Sequence, residues 1–245
     1  MRGLSRIQAL LNPLKMGHCA PSVMRTLQTL EGTKSERIMK STAGLPGGIG
    51  WLRAECGCVT SSVMIMGLKY GEDLSDDGNE RLPGIISMGQ NFLNRFRPSY
   101  GGLECSEIAG IDYNDKKMVQ KKSLIASRRC FKAIYGSPFM LMDIMDKESR
   151  VTSSSVDSER LKANGKILEL YRTQKFHCSQ SVLHELDDLI EGDESILRAS
   201  VGFLGGTLMQ GMTCGALTGG VLTLGLRFGE IENSYRRVMR STLQL

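Results

Sequence analysis

One stretch of this chain is written twice, and that duplication constrains the fold more than any other feature. The series His18-Cys19-Ala-Pro-Ser-Val23, a glycine-rich run, Cys56-Gly-Cys58-Val-Thr60 and Met66-Gly67-Leu-Lys-Tyr-Gly71 comes first. It returns in the same order as His177-Cys178-Ser-Gln-Ser-Val182, a second glycine-rich run, Cys214-Gly-Ala-Leu-Thr218 and Leu224-Gly225-Leu-Arg-Phe-Gly229. Thiols and glycines matched in order over so many positions mark one structural unit used twice.

The unit reads as helical. Cys19, Val23, Leu27 and Leu30 recur at helical spacing, and Cys178, Val182, Leu186 and Leu189 repeat it, so each copy opens with an amphipathic helix carrying a thiol at the start of its buried stripe. Gly44, Gly47 and Gly48 match Gly202, Gly205 and Gly206, where absent side chains let backbones approach. A helix from about Cys56 to Leu68 follows, with a counterpart from about Cys214 to Leu226; Gly71 and Gly229 are placed to stop them. Past Gly71 only the first copy continues. An acidic loop over Glu72 to Glu80 leads to a helix over Ile85 to Arg97, with Ile85, Met88, Phe92 and Phe96 inward and Pro98 ending it. A turn with Gly101 and Gly102 delivers Cys105, and a helix from Lys117 to about Tyr135 sets Ala126, Cys130 and Ile134 on one face before Gly136. No strand-like alternation is sustained. The expected fold class is all-α, two related helical units from an internal duplication with the second truncated, packed as a pseudo-dimer. The boundaries fall at 1–147, a serine-rich linker over 148–159, and 160–245.

Several functions are excluded by what the sequence lacks. A net charge of +5 without a dense basic stripe interleaved with aromatics is not the footprint of a nucleic-acid binder. Seven cysteines, odd in number and widely spread, do not form a secreted disulfide framework, so a reducing cytoplasm is expected. Gln8, Asn12, Pro13 and Lys15 interrupt the N-terminal apolar stretch and argue against a signal peptide. Ala199 to Leu226 has no charged residue and is long enough to span a bilayer, but its counterpart holds Arg53 and Glu55, which lipid would penalise; the reading is against a membrane span. The glycine-rich runs match neither nucleotide fingerprint, and no Cys-x-x-Cys-His site for covalent haem occurs. Asp73, Ser75, Asp77 and Gly78 imitate a calcium loop, yet Gly84 stands where its last carboxylate belongs.

The order Cys19, Cys56-Gly57, Cys105 and Cys130 resembles a family of redox-active proteins defined by four cysteines and a Cys-Gly-Ala-x-x-Gly signature. Cys214-Gly215-Ala216-Leu217-Thr218-Gly219 carries that signature in full, and Leu224-Gly225-Leu-Arg-Phe-Gly229 and Phe96-Arg-Pro-Ser-Tyr-Gly-Gly-Leu-Glu-Cys105 are also similar to family sequence. The resemblance spans about residues 17–135 and 176–230. It implies that Cys19, Cys56, Cys105 and Cys130 form the complete cofactor-binding set and that the second copy is degenerate. More distantly the family is similar to the iron–sulfur part of split-Soret cytochromes, which are helical dimers, so a further homodimer stays open. The first copy departs from the signature at Cys58, in place of alanine, and at Ser61, in place of glycine.

Three chemistries fit such a set. Four thiolates can complete the shell of an iron–sulfur cluster; the same sulfurs can hold zinc; or two of them can cycle to a disulfide, with Cys56 and Cys214 the helix-start thiols to suspect. Cys58, two residues from Cys56, cannot share its helical face and reads as a small buried hydrophobe. Cys178 and Cys214 stay open, and His18 and His177 read either as ligands or proton partners or as plain helix-entrance residues. Lys116, Lys117, Lys121, Lys122, Arg128, Arg129 and Lys132 surround Cys130, forming either a solvated face or a dock for an acidic redox partner. The expected function is an electron carrier with a cysteine-ligated iron–sulfur cluster; the alternatives are a thiol–disulfide oxidoreductase and a structural or zinc-binding protein.

Overall fold

The computed structural model describes residues 2–71, 81–112, 116–151, 177–186, 188, 191 and 193–230, with side chains of 2–5, 116–127 and 148–151 left aside. In chain order the helices are α1 (Arg2–Met16), α2 (Cys19–Glu31), α3 (Glu36–Ser41), α4 (Gly57–Tyr70), α5 (Leu82–Tyr100), α6 (Cys105–Ala109), α7 (Lys116–Val151), α8 (Cys178–Glu185), α9 (Glu194–Ser200) and α10 (Gly215–Phe228). Among the described residues there is no strand, only an isolated antiparallel bridge between Glu55 and Glu104. The series α2, α3, α4 returns as α8, α9, α10, so the chain is all-α and the duplicated unit is built twice. No helix among the described residues is long and apolar enough to cross a membrane.

The two copies agree down to backbone detail. Ser35 caps α3 by accepting from the Ile38 amide at 3.2 Å, and Asp193 caps α9 by accepting from the Ser195 amide at 2.9 Å. Between α3 and α4 the chain enters left-handed backbone at Gly47, Gly48, Ile49, Gly50, Trp51 and Arg53; the matched positions Gly205, Gly206, Thr207, Leu208, Met209 and Gly211 do the same. Gly50 and Arg53 donate to Gly44 and Gly47 at 2.6 and 3.1 Å, and Leu208 and Gly211 donate to Gly202 and Gly205 at 2.7 and 3.1 Å. A side chain in this region costs about 1–2 kcal/mol. Because the non-glycine residues fall at different places in the two loops, the fold imposes the conformation rather than glycine permitting it.

The copies exchange helices. Each glycine helix packs on the short helix of the other copy, α4 on α9 and α10 on α3. A Cβ at Gly67 would lie 2.5 Å from the Arg198 carbonyl oxygen, and one at Gly225 would lie 2.5 Å from that of Ser41. Gly71 and Gly229 do end α4 and α10 as expected, but in extended backbone with φ of −75° and −73°. What they contribute is room, since a Cβ there would meet the Arg198 and Lys40 carbonyls at 2.9 and 2.7 Å. Arg198 completes the contact by donating to the Gly71 and Leu68 carbonyls at 3.0 and 2.8 Å, which places a cation at the negative end of α4. Arg37 of α3 pairs with Asp193 at 2.5 Å and with Glu191 at 2.7 Å. One apolar cluster runs through both copies, joining Val23, Leu27, Phe92 and Phe96 to Leu183, Ile196, Phe203 and Val221.

Helices α5 to α7 have no counterpart among the described residues of the second copy. Pro98 does not end α5, because in the last turn it forfeits a single backbone hydrogen bond; Gly101, left-handed at φ 89°, ends it two residues after the expected boundary region. Nor does Gly136 end α7, which runs on to Val151, four residues into the stretch read as a linker. Gly136 is small because the Tyr100 hydroxyl occupies the place of its Cβ. The remainder of that linker, the 72–80 loop with its calcium-like residues, and Leu189 lie outside the described residues. Helix α1 was not anticipated; it continues through Pro13 and is tied to α2 by Asn12 donating to Thr26 at 2.9 Å.

Because the Gly67 and Gly225 contacts are with backbone, a methyl group cannot be absorbed by a side-chain shift. Gly67→Ala and Gly225→Ala are each expected to destabilise the protein by about 1–3 kcal/mol, and by similar amounts, as read by thermal unfolding; a neutral pair of variants would show that the helix exchange is not close-packed.

Candidate functional site

The site is assembled where three helix N-termini meet a fourth helix. Cys19 is the first residue of α2, Cys56 the N-cap of α4 and Cys105 the first residue of α6, while Cys130 projects from within α7. Two backbone hydrogen bonds flank the Glu55–Glu104 bridge: the Cys56 amide donates to Leu103 and the Cys105 amide to Ala54, both at 2.8 Å. Two cysteines 49 positions apart in sequence thereby stand one step beyond the same bridge. Glu104 and Glu107 form a reciprocal capping box that starts α6 with Cys105 at its mouth. Gly57 sets the spacing of α2 and α4, since a Cβ on it would lie 2.6 Å from the Cys19 sulfur.

These thiols lie close enough to perturb one another's protonation. Burial, and then the neighbouring thiols of Cys56 and Cys105 and, less strongly, Cys130, push Cys19 well above the usual range, while the Gly47 amide opposes that rise. Cys130 is pushed up to about 11 by burial and by Cys56. Cys56 moves the other way. The Cys58 thiol donates toward its sulfur, outweighing burial, and the first-turn amides of Cys58 and Val59 add to this without closing an ordinary cap hydrogen bond. Cys58 is correspondingly raised, first by that hydrogen bond and then by burial, with Cys56, Cys19 and Cys130 all acting on it.

Cys58 is fully buried in the apolar cluster, as expected of a small buried hydrophobe, and it also acts on Cys56. Its side chain does leave Cys56's helical face, but Cys56 is the cap and not a helical residue, so the facing rule does not separate them. Tyr100 was missed: burial and the nearby Cys58 raise its hydroxyl, which rests over Gly136. Sequence offered no signal for it beyond its place before Gly101. Of the expected set, Cys19 lies near enough to Cys56, Cys105 and Cys130 for each to act on it, and Cys58 is influenced by Cys56, Cys19 and Cys130. Among the described residues no group of three or more His, Cys, Asp or Glu side chains is arranged as a metal-ion site.

The histidines are not equivalent. His177 is buried, with Nδ1 accepting from the Gln180 amide at 3.3 Å to cap α8 and Nε2 2.9 Å from the Val201 carbonyl, so both ring nitrogens are engaged. His18 is lowered to about 4 by burial and is neutral near pH 7, which leaves it no charge to offer a thiolate. In the second copy Cys178 starts α8 and Cys214 caps α10, and the Cys178 sulfur lies where a Cβ on Gly215 would stand, as Cys19 does at Gly57. No equivalents of Cys105 and Cys130 accompany them.

Glu55 links the site to the second copy. Its carboxylate is fully buried and accepts from Thr207 Oγ1 at 3.0 Å, from the Thr213 amide at 2.8 Å and from Thr213 Oγ1. Glu55 precedes Cys56 as Thr213 precedes Cys214, so the contact joins equivalent positions of the two copies.

The family model described as "Putative redox-active protein (C_GCAxxG_C_C)" matches residues 17–144 and, a second time, 176–245. The chain belongs to this family. The label's Gly-Cys order and the Cys-Gly order of Cys214–Gly219 both occur in the first copy, where a cysteine stands on either side of Gly57. The family's second match is the shorter, in keeping with a truncated second unit. No curated protein and no solved structure is significantly similar to the chain.

If Cys58 is what lowers Cys56, then Cys58→Ala, which installs the residue of the second copy, raises the Cys56 thiol toward the usual range. Alkylation rate followed against pH should show the midpoint for Cys56 moving upward in the variant; an unmoved midpoint would assign the lowering to the α4 amides alone.

Proposed function

We propose that the first copy is a redox centre in which Cys19, Cys56, Cys105 and Cys130 hold an iron–sulfur cluster, and that the protein carries electrons to and from a partner. What supports this best is that Cys19, at the start of α2, lies near enough to Cys56, Cys105 and Cys130, carried by α4, α6 and α7, for each of them to act on it. Thiolates so placed repel one another, and a cationic iron core offsets that repulsion, which suits a soft sulfur donor set. Such a cluster supplies one-electron chemistry when bound. The helix N-termini at Cys19, Cys56 and Cys105 favour negative charge at the site, and the Gly47 amide reaches Cys19 directly. Arg128, Arg129, Phe131 and Lys132 are exposed beside Cys130 and form the face on which an acidic redox partner would dock. Seven free cysteines fit a reducing compartment, the cytoplasm.

A second reading, a thiol–disulfide oxidoreductase, is favoured by one observation, the lowered Cys56 beside its hydrogen-bond donor Cys58. The visible spectrum and the iron and acid-labile sulfide content of anaerobically purified protein separate the two. Broad charge-transfer colour with iron is expected; colourless, iron-free protein whose thiols still turn over a disulfide would replace the first reading with the second.

The division of labour between the copies gives a further test. Replacing Cys178 and Cys214 together by Ala should leave most of the colour and iron, whereas Cys56→Ala should lose them, because an open ligand position weakens the whole shell. Equal loss in both proteins would put ligands from both copies in one site.

A further inference from the structure

The second copy retains a pair of cysteines that the redox centre does not use. Cys178 and Cys214 are 36 positions apart in sequence, yet the Cys178 sulfur packs against Gly215, the residue next to Cys214. The Cα atoms of residues 214 and 215 are about 3.8 Å apart, so the Cys178 sulfur, packed on Gly215, sits beside the residue next to Cys214. The same arrangement in the first copy, Cys19 on Gly57 beside Cys56, is enclosed by α6 and α7. Here neither helix has a counterpart among the described residues; Cys214 is exposed where Cys56 is buried, while Cys178, like Cys19, is half-buried. The Cys178 thiol makes only a long contact, 3.8 Å, with the Phe203 carbonyl.

We propose that Cys178 and Cys214 form a second, surface dithiol that reacts with low-molecular-weight disulfides, independently of the buried centre. The exposed Cys214 is the attacking thiol. As its thiolate it attacks one sulfur of the small disulfide; the new S–S bond forms as the old one breaks, and the first small thiol leaves and takes up a proton. Cys178, deprotonated, then attacks the Cys214 sulfur of the mixed disulfide, releasing the second small thiol. The balance is one small disulfide reduced to two thiols and the two cysteines oxidised to one disulfide, with no other reactant. Gly215 is required by this geometry, since a side chain there would displace the Cys178 sulfur.

The test uses the full chain, purified anaerobically, incubated with oxidised glutathione, trapped with N-ethylmaleimide and mapped by mass spectrometry without reductant. A peptide pair linking Cys178 to Cys214 is expected in the wild type. Cys178→Ser should lose that pair and instead accumulate glutathione on Cys214, while Cys214→Ser should lose both the pair and the adduct. Serine is close to cysteine in size and is a favourable N-cap at position 214; should either variant misfold, the wild-type map alone decides. Recovery of both wild-type cysteines as separate maleimide adducts, or of glutathione left unresolved on wild-type Cys214, would overturn the proposal. Iron content measured on the same samples should be unchanged by either serine variant, so failure of the dithiol and failure of the iron–sulfur reading give different results.

Discussion

The site depends on a missing methyl group. Gly57 lets the start of α2 come against the start of α4, so that the Cys19 sulfur rests on the backbone beside Cys56. Any side chain would separate the two helix N-termini and, with them, the thiols. The other ligand-type residues arrive by different means, Cys105 through the backbone bridge at Glu55–Glu104 and Cys130 on a long helix packed against α2, α4 and α5. The thiols therefore owe their proximity to helix-start packing and not to a compact ligand run, which is how residues distant in sequence come to act on one another.

Around that contact the second copy acts as a support. The left-handed loop of the first copy sends the Gly47 amide to Cys19, and the same loop carries Glu55, whose buried carboxylate is held by Thr207 and Thr213 of the matching loop. Backbone strained at several non-glycine positions persists only where its surroundings over-determine it. Here the surroundings include the other copy: Arg198 closes the end of α4, and Arg37 ties α3 to the start of α9. A truncated copy that lacks half of the cysteines thus still earns its place through geometry, and it keeps a half-buried Cys178 and an exposed Cys214.

Much of this was legible in the residues. The duplication and the helical periodicity of Cys19 to Leu30 follow from order and spacing, because helices are local and a repeated order implies a repeated path; that Cys19, Cys56, Cys105 and Cys130 form one set is implied by the family resemblance. Helix ends were less legible. Pro98 and Gly136 carry breaker signals, but a proline in a last turn costs one hydrogen bond, and Gly136 answers to Tyr100 rather than to its own helix. Cys58 is the small buried residue its position suggests, but its influence on Cys56 was not legible, because facing rules apply inside a helix, whereas Cys56 is its cap.

What the sequence determined by itself was the all-helical, duplicated architecture, since periodicity and repetition are properties of the chain read along its length. What only the tertiary structure decided was which copy packs on which, that α4 lies on α9 and α10 on α3, that Cys58 faces Cys56, and that Glu55 meets Thr213. These are contacts between segments far apart in sequence. Their energies depend on carbonyl, thiol and carboxylate positions in space, which no local pattern encodes.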